Sequence, residues 1–393
     1  RDSVSDRNFI DEHVIGYDML ARDILPEYTP VRVSDITGIS TEIIEELARL
    51  YAASTPYIHL GSGLSRYTNG AAAVRAITCL PAIVGAWAKL GGGLFVSAAT
   101  NKFFDSGRIT REDFSKNSRI INMNRLGAAL NEPLSPPIMS LYVYHSNPAV
   151  VAPDQNQVLR GLAREDLFTV VHERFMTDTA KYADVVLPAT SSLEHGDLYR
   201  SYGHYSVQRA YPIIPPVGQS KSNWEVLKLL AEAMGFDDDF FRQSVDDLVN
   251  ALLASPSPRL SAAQIEQLAQ GRPVEIELPD GYKTAFATPS GKIEIFNPRE
   301  ISPLPDFTPP HGDSGDFWLI NSPDIRLLNS SFNERDDLLG NDIGTLQINP
   351  ADAAAHSLHD KQIVTAYNER GAVDFIVKIS DKVPPKVVVA EGV

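Results

Sequence analysis

Apolar and polar positions change period several times along this chain, and the densest signal lies between residues 166 and 204. Leu167 to Val171 is a short β-branched and aromatic run, and Asp184 to Leu187 is another. Runs without alternation are what strands buried on two faces look like. Between them TDTAKYA offers Thr177 or Asp178 as the cap of a short helix. The spacing predicts a strand–helix–strand unit with parallel strands, and ligands of such sheets bind outside the carboxyl ends. His172-Glu173 follows the first strand, and Pro188 to His195 follows the second. Two acid–histidine pairs, His172-Glu173 and Glu194-His195, thus converge on one edge. The pattern fits either a site for a nucleotide-sized ligand or a polar loop edge without one.

Elsewhere the periods predict further elements. Residues 8–25 read as a helix broken at Gly16. Ile43, Ile44, Leu47, Leu50 and Tyr51 recur at helical spacing behind Ser40, a plausible cap. Tyr57 to Leu60 is a strand, and GSGLSRYTNG leads into a helix over 71–90 that Pro81 should kink. The glycine turn is either a plain strand–helix turn or a close backbone approach to a ligand. Cys79, among Ile77, Leu80 and Ile83, reads as a small buried hydrophobe. Residues 101–137 are polar and irregular. Ile138 to Tyr144 is the next strand, ending in HSNPAVVAPD, and Asn156 to Leu162 is helical. A loop of Ser146, Asn147 and Pro148 at a strand end is either an Asx turn or a phosphate or base contact.

Asn223 to Met234 is amphipathic, with Ser222 or Asn223 as cap. Residues 236–272 suggest an acidic turn and two short helices, and 273–296 switch to alternation and turns. Pro298 to Pro310 carries five prolines in thirteen residues and reads as a linker. Strands at 317–321, 362–368 and 372–379, then VVVAEGV, suggest a small β-barrel.

Composition narrows the picture. At 393 residues the chain has room for two or three domains. Lys plus Arg is 35 against 50 for Asp plus Glu, a net charge of −15, which disfavours nucleic acid and anionic membranes. One cysteine excludes a disulfide framework, a four-cysteine cluster and a structural zinc site within this chain. No apolar run reaches membrane-spanning length. The opening RDSVSDRNF reads as a fragment or a processed product.

The order NPAVVAPD (147–154), VVHERFMTDTAKYADVVLPAT (170–190) and EHGD (194–197) resembles the molybdopterin oxidoreductases of the dimethyl-sulfoxide-reductase type. The phrase T-[DE]-T-A-x-x-A-D-[VI]-V-L-P-A, then six residues and an acid, is long and specific. The resemblance implies an α/β fold with two Rossmann-like parallel-sheet domains, the first incomplete, followed by a small, partly truncated β-barrel. The expected bounds are 1–135, 136–300 with an insertion at 236–300, and 301–393. It implies a bis-molybdopterin guanine dinucleotide carrying Mo or W in the complete enzyme. A 4Fe-4S cluster would belong to an N-terminal domain outside this chain, and the fragment alone is expected to bind none of these groups. Asn147, His172, Glu173, His195 and Asn223 fall at dinucleotide-contacting positions of the second α/β domain. Ser62 and Arg66 fall beside one pterin, where relatives often have glutamine in place of Arg66. Ser322, Arg326, Asn329, Ser330 and Ser331 fall in a loop draped over the pterins. Guanine presents N1–H and N2–H₂ side by side, and a carboxylate such as Glu173 accepts both.

The activity so implied is two-electron redox chemistry, either oxygen-atom transfer or substrate oxidation, at the metal. Neither the substrate, the catalytic residues nor the metal ligand is named by these residues. A small-molecule substrate, an electron-transfer subunit and self-association are the expected partners, and a cytoplasmic location is favoured over a periplasmic one. The alternative within the fold is a subunit without molybdenum, similar to the large iron–sulfur subunit of NADH:quinone oxidoreductase. An unrelated nucleotide-binding α/β enzyme is the other, with Glu194-His195 as an acid–base set.

Overall fold

The structure is a computed structural model that describes residues 4–98, 104–114, 118–254, 260–278, 280–310, 315–332, 335, 337 and 344–391. It divides into two compact units, one of residues 1–106, 198–209 and 252–312, the other of 107–197, 210–251 and 313–393.

In the first unit the break expected at Gly16 is real. Helix Arg7–His13 ends in a two-residue strand, Val14–Ile15, and helix Tyr17–Asp23 follows. Gly16 sits at φ +91°, and a Cβ there would fall 2.5 Å from the backbone nitrogen of Phe296, so only glycine fits. Val14–Ile15 pairs in parallel with Ile293–Glu294. Phe9, Ile10, Val14, Leu20, Cys79, Ala82 and Ile295 close around this pairing as a core. Strands Tyr57–His59 and Gly93–Phe95 are parallel and joined through helix Gly70–Ile83. That helix stops earlier than its apolar run suggests, because Gly85 turns left-handed at φ +63°.

Ahead of Ser40, Pro30–Thr37 is a further helix, capped by Thr29 with Pro30 at its first position. Two expectations need correction here. The proline-rich stretch after Pro298 is not a free linker. Prolines leave carbonyls without neighbouring N–H partners, and Arg75 donates to two of them, Ser302 (2.5 Å) and Pro303 (2.7 Å), as well as to Ile295 (3.0 Å) ahead of the stretch. The β-rich reading of 273–296 shrinks to the two-residue strands Val274–Glu275 and Ile293–Glu294 among the described residues.

The second unit is built on a three-stranded parallel sheet whose central strand is Phe168–Glu173, flanked by Ser140–Tyr144 and Val185–Pro188. The central strand is buried at Thr169, Val171 and His172, whereas Phe168 at its start is 51 % exposed, so its apolar run is only partly covered. Val185–Pro188 is less buried than its apolar run suggests, its valines partly exposed as befits an edge. The expected short helix between these strands is a single 3₁₀ turn, Ala180–Tyr182, with Thr177 Oγ1 accepting from Ala180 N. Helix Asn223–Ala233 starts as expected, with a reciprocal capping box between Ser222 and Glu225.

The C-terminal strands form one open five-stranded sheet in the order Trp318–Ser322, Val387–Glu391, Thr345–Ile348, Gly371–Ile379 and Ile363–Asn368. It mixes parallel and antiparallel pairs and curls around Leu346, Ile348, Phe375, Val377 and Val388, a half-barrel rather than a closed one. Gly392 and Val393 lie outside the described residues.

Candidate functional site

The parallel register of the sheet brings three strand ends to one edge. Tyr144 pairs with His172, His172 with Leu187, and Glu173 with Pro188. His172 and Glu173 are the last two residues of the central strand rather than the loop behind it. Their neighbouring positions send them to opposite faces. His172 is buried at 2 % exposure, with Nε2 3.1 Å from the carbonyl of Lys221 and Nδ1 without a partner. Glu173 is half-buried, and its Oε1 accepts from the N–H of Arg174 at 2.7 Å.

Asn147 follows the first strand and is buried. Its Oδ1 accepts from both the backbone N–H (3.1 Å) and the hydroxyl (2.7 Å) of Thr179. The N–H of Ala149 in turn donates to Thr179 Oγ1 at 3.0 Å. Asn147 thus ties the loop after one strand to the loop before another.

Beyond Pro188, the segment carrying Lys221 runs alongside as a parallel bridge to Ala189. Lys221 N donates to Pro188 O (3.1 Å), and Thr190 N donates to Lys221 O (3.2 Å). Thr190 Oγ1 lies 3.0 Å from Nδ1 of His195, which places the imidazole at the same edge. Glu194 is buried and receives the N–H groups of Ser191 and Val217, each at 2.6 Å. Ser191, through hydroxyl and N–H, and then Val217 hold its carboxyl down at about 2. A carboxylate so engaged does not serve as a general base near neutrality, and the Glu194-His195 acid–base reading loses its chemistry.

Asn223 opens its helix, and its Nδ2 donates to Nε2 of His145. His145 was missed from sequence. It is exposed, directly follows strand Ser140–Tyr144, and sits in the left-handed region at φ +53°. A polar aromatic residue between a strand and Asn-Pro was the available signal, since histidine tolerates that region better than most residues.

The other predicted residues lie on other elements. Ser62 and Arg66 bound an exposed 3₁₀ turn in the first unit, after strand Tyr57–His59. A Cβ on Gly61 or Gly63 would meet open space there. Ser322 ends its strand. Arg326 is paired to Asp324 through Nε (2.9 Å) and Nη2 (2.6 Å), and Asp324 also accepts the N–H of Arg326 at 2.7 Å. These contacts hold the Asp324 carboxyl at about 2. Asn329 is left-handed at φ +53°, and a bridge between Leu328 and Ser331 closes the turn that carries Asn329 and Ser330. No group of three or more His, Cys, Asp or Glu able to hold a metal occurs among the described residues.

Residues 27–233 match the family model described as molybdopterin oxidoreductase, and residues 317–392 match the molydopterin dinucleotide binding domain. The chain is 39 % identical over 403 residues to a probable oxidoreductase YoaE of Bacillus subtilis, covering 100 % of this chain and 59 % of that protein. It is 27 % identical to the F420-dependent formate dehydrogenase subunit alpha of Methanocaldococcus jannaschii, covering 99 % of this chain and 61 % of the relative. Among solved structures, acetylene hydratase from Pelobacter acetylenicus superposes with a TM-score of 0.79 at 19 % identity, covering 99 % of this chain and 61 % of that one, which shows a shared fold. The chain therefore spans about three fifths of the length of the relatives it matches.

Proposed function

The chain belongs to the molybdopterin oxidoreductase family, and from that premise we propose that its second unit holds one guanine dinucleotide of a bis-molybdopterin guanine dinucleotide cofactor. The observation that carries this reading is the carboxyl edge of the parallel sheet. Glu173, His195, Asn223 and His145 are gathered there by three strand ends and one helix start.

The donor and acceptor set fits such a ligand. Glu173 keeps Oε2 free among the described residues and accepts the paired N–H groups of guanine. His195, held at Nδ1 by Thr190, offers Nε2 toward ribose or phosphate oxygen. Asn147 and His172 serve this edge from inside, by fixing the loops rather than by reaching outward. Ser62 and Arg66 in the first unit, and Ser322, Arg326 and Asn329 to Ser331 in the second, are proposed to lie against the pterins. When bound, the molybdenum supplies two-electron redox chemistry, and the protein contributes binding and orientation. The whole enzyme is proposed to be an oxidoreductase of small molecules.

Titration of the chain with GDP and with ADP tests the reading. GDP is expected to bind more tightly than ADP. Glu173→Gln replaces an acceptor by a donor, and loss of a hydrogen bond to a charged group is worth about 1.5–3 kcal/mol, so GDP should weaken about tenfold or more while ADP hardly changes. Equal affinity for the two nucleotides in the unmutated chain would end the proposal.

A further inference from the structure

We propose that His145 is a ligand-contacting residue of this edge, and that Asn223 acts through it as a positioning residue. The inference rests on the dinucleotide reading above and changes who does what within it.

Three observations point to His145. First, its φ of +53° places an L-residue other than glycine in the left-handed region, directly at the carboxyl end of a parallel strand. Such backbone costs free energy and persists where the surroundings hold it, typically at sites of function. Second, the ring is held by a group distant in sequence, the Asn223 amide, with the ring of Tyr144 lying 5.7 Å away edge-on. Third, the side chain is exposed, so no burial explains why the ring is restrained.

The hydrogen bond also sets the tautomer. An amide nitrogen only donates, so Nε2 of His145 accepts and the ring proton resides on Nδ1. Nδ1 has no partner among the described residues and is a donor left over at the edge where strand Ser140–Tyr144 ends. A donor there suits an acceptor oxygen of the dinucleotide, and we assign it to a phosphate oxygen. Asn223 gives one of its two amide N–H groups to His145, and that bond is the positioning role assigned to it.

A double-mutant cycle read by GDP affinity separates the roles. His145→Gly removes the ring and suits the left-handed backbone, so the protein should stay folded with unchanged or higher thermal stability. It is expected to weaken GDP about tenfold. Asn223→Ala should weaken GDP by a smaller factor, about threefold, and should add nothing in the His145→Gly background. Nitrogen NMR of the His145 ring gives an independent readout: the Nδ1–H form in the unmutated chain, and a shift toward Nε2–H in Asn223→Ala. Equal losses from Asn223→Ala in both backgrounds overturn the proposal and make Asn223 the direct contact. Unchanged affinity in His145→Gly also overturns it. GDP binding that depends on Glu173 but not on His145 sinks this assignment alone, whereas no GDP binding by the unmutated chain removes the dinucleotide reading and this one together.

Discussion

Asn147 and Thr179 are joined twice, the Asn147 Oδ1 receiving both the N–H and the hydroxyl of Thr179, and both residues are buried. Asn147 so placed holds two loops of this sheet edge in register. Buried donors deprived of an acceptor cost about 1–3 kcal/mol. Asn147→Ala is expected to lower unfolding free energy by about that amount, read as a fall in urea midpoint with unchanged slope. An unaltered midpoint would show that the pairing contributes nothing to stability.

Acid should loosen the 190–221 region through Glu194. Its carboxyl lies at about 2 in the folded chain against 4.5 when unperturbed, because Ser191 and Val217 donate to the charged form. A depressed folded value means the stabilisation is full above the unfolded value and lost as pH falls from about 4.5 toward 2. Glu194→Gln should therefore be less stable than the unmutated chain at pH 7, and the gap should narrow below pH ~4.5. A gap of the same size at pH 3 and pH 7 would assign the loss to packing instead.

Cys79 should be silent to thiol reagents in the native state. Burial pushes its thiol up to about 11, with Arg75 opposing only weakly. A disulfide reagent at pH 8 is expected to label nothing until denaturant is added, and one thiol thereafter. Rapid native labelling would mean that this core opens readily.

Helix Thr41–Ala53 should govern self-association. Ile43, Leu47 and Leu50 are 57, 63 and 65 % exposed along one face, an apolar stripe facing water. Leu47→Gln with Leu50→Gln is expected to lower the sedimenting mass at high concentration and the binding of a hydrophobic dye, with stability changed by no more than about 0.5 kcal/mol. Unchanged association in the double variant would place the sticky surface elsewhere.

The sequence by itself determined what local chemistry controls. Helix starts at Ser40 and Ser222, the break at Gly16, and the parallel strands around TDTAKYADVVLP all follow from caps, a left-handed position and apolar period. The family was legible because its motif lies within one short stretch of chain. The tertiary structure decided which side chains use those positions. Whether His172 or Glu173 faces out depends on where strand Phe168–Glu173 ends and on a Lys221 carbonyl 49 residues away. His145 with Asn223, and Asn156 with the carbonyl of Arg370, are partners 78 and 214 residues apart. The apolar stripe of helix Thr41–Ala53 was readable, but its exposure was not, since periodicity encodes a face and not what covers it. Long-range pairing is set by packing of the whole chain against the entropy of closing long loops, and no local window carries that balance.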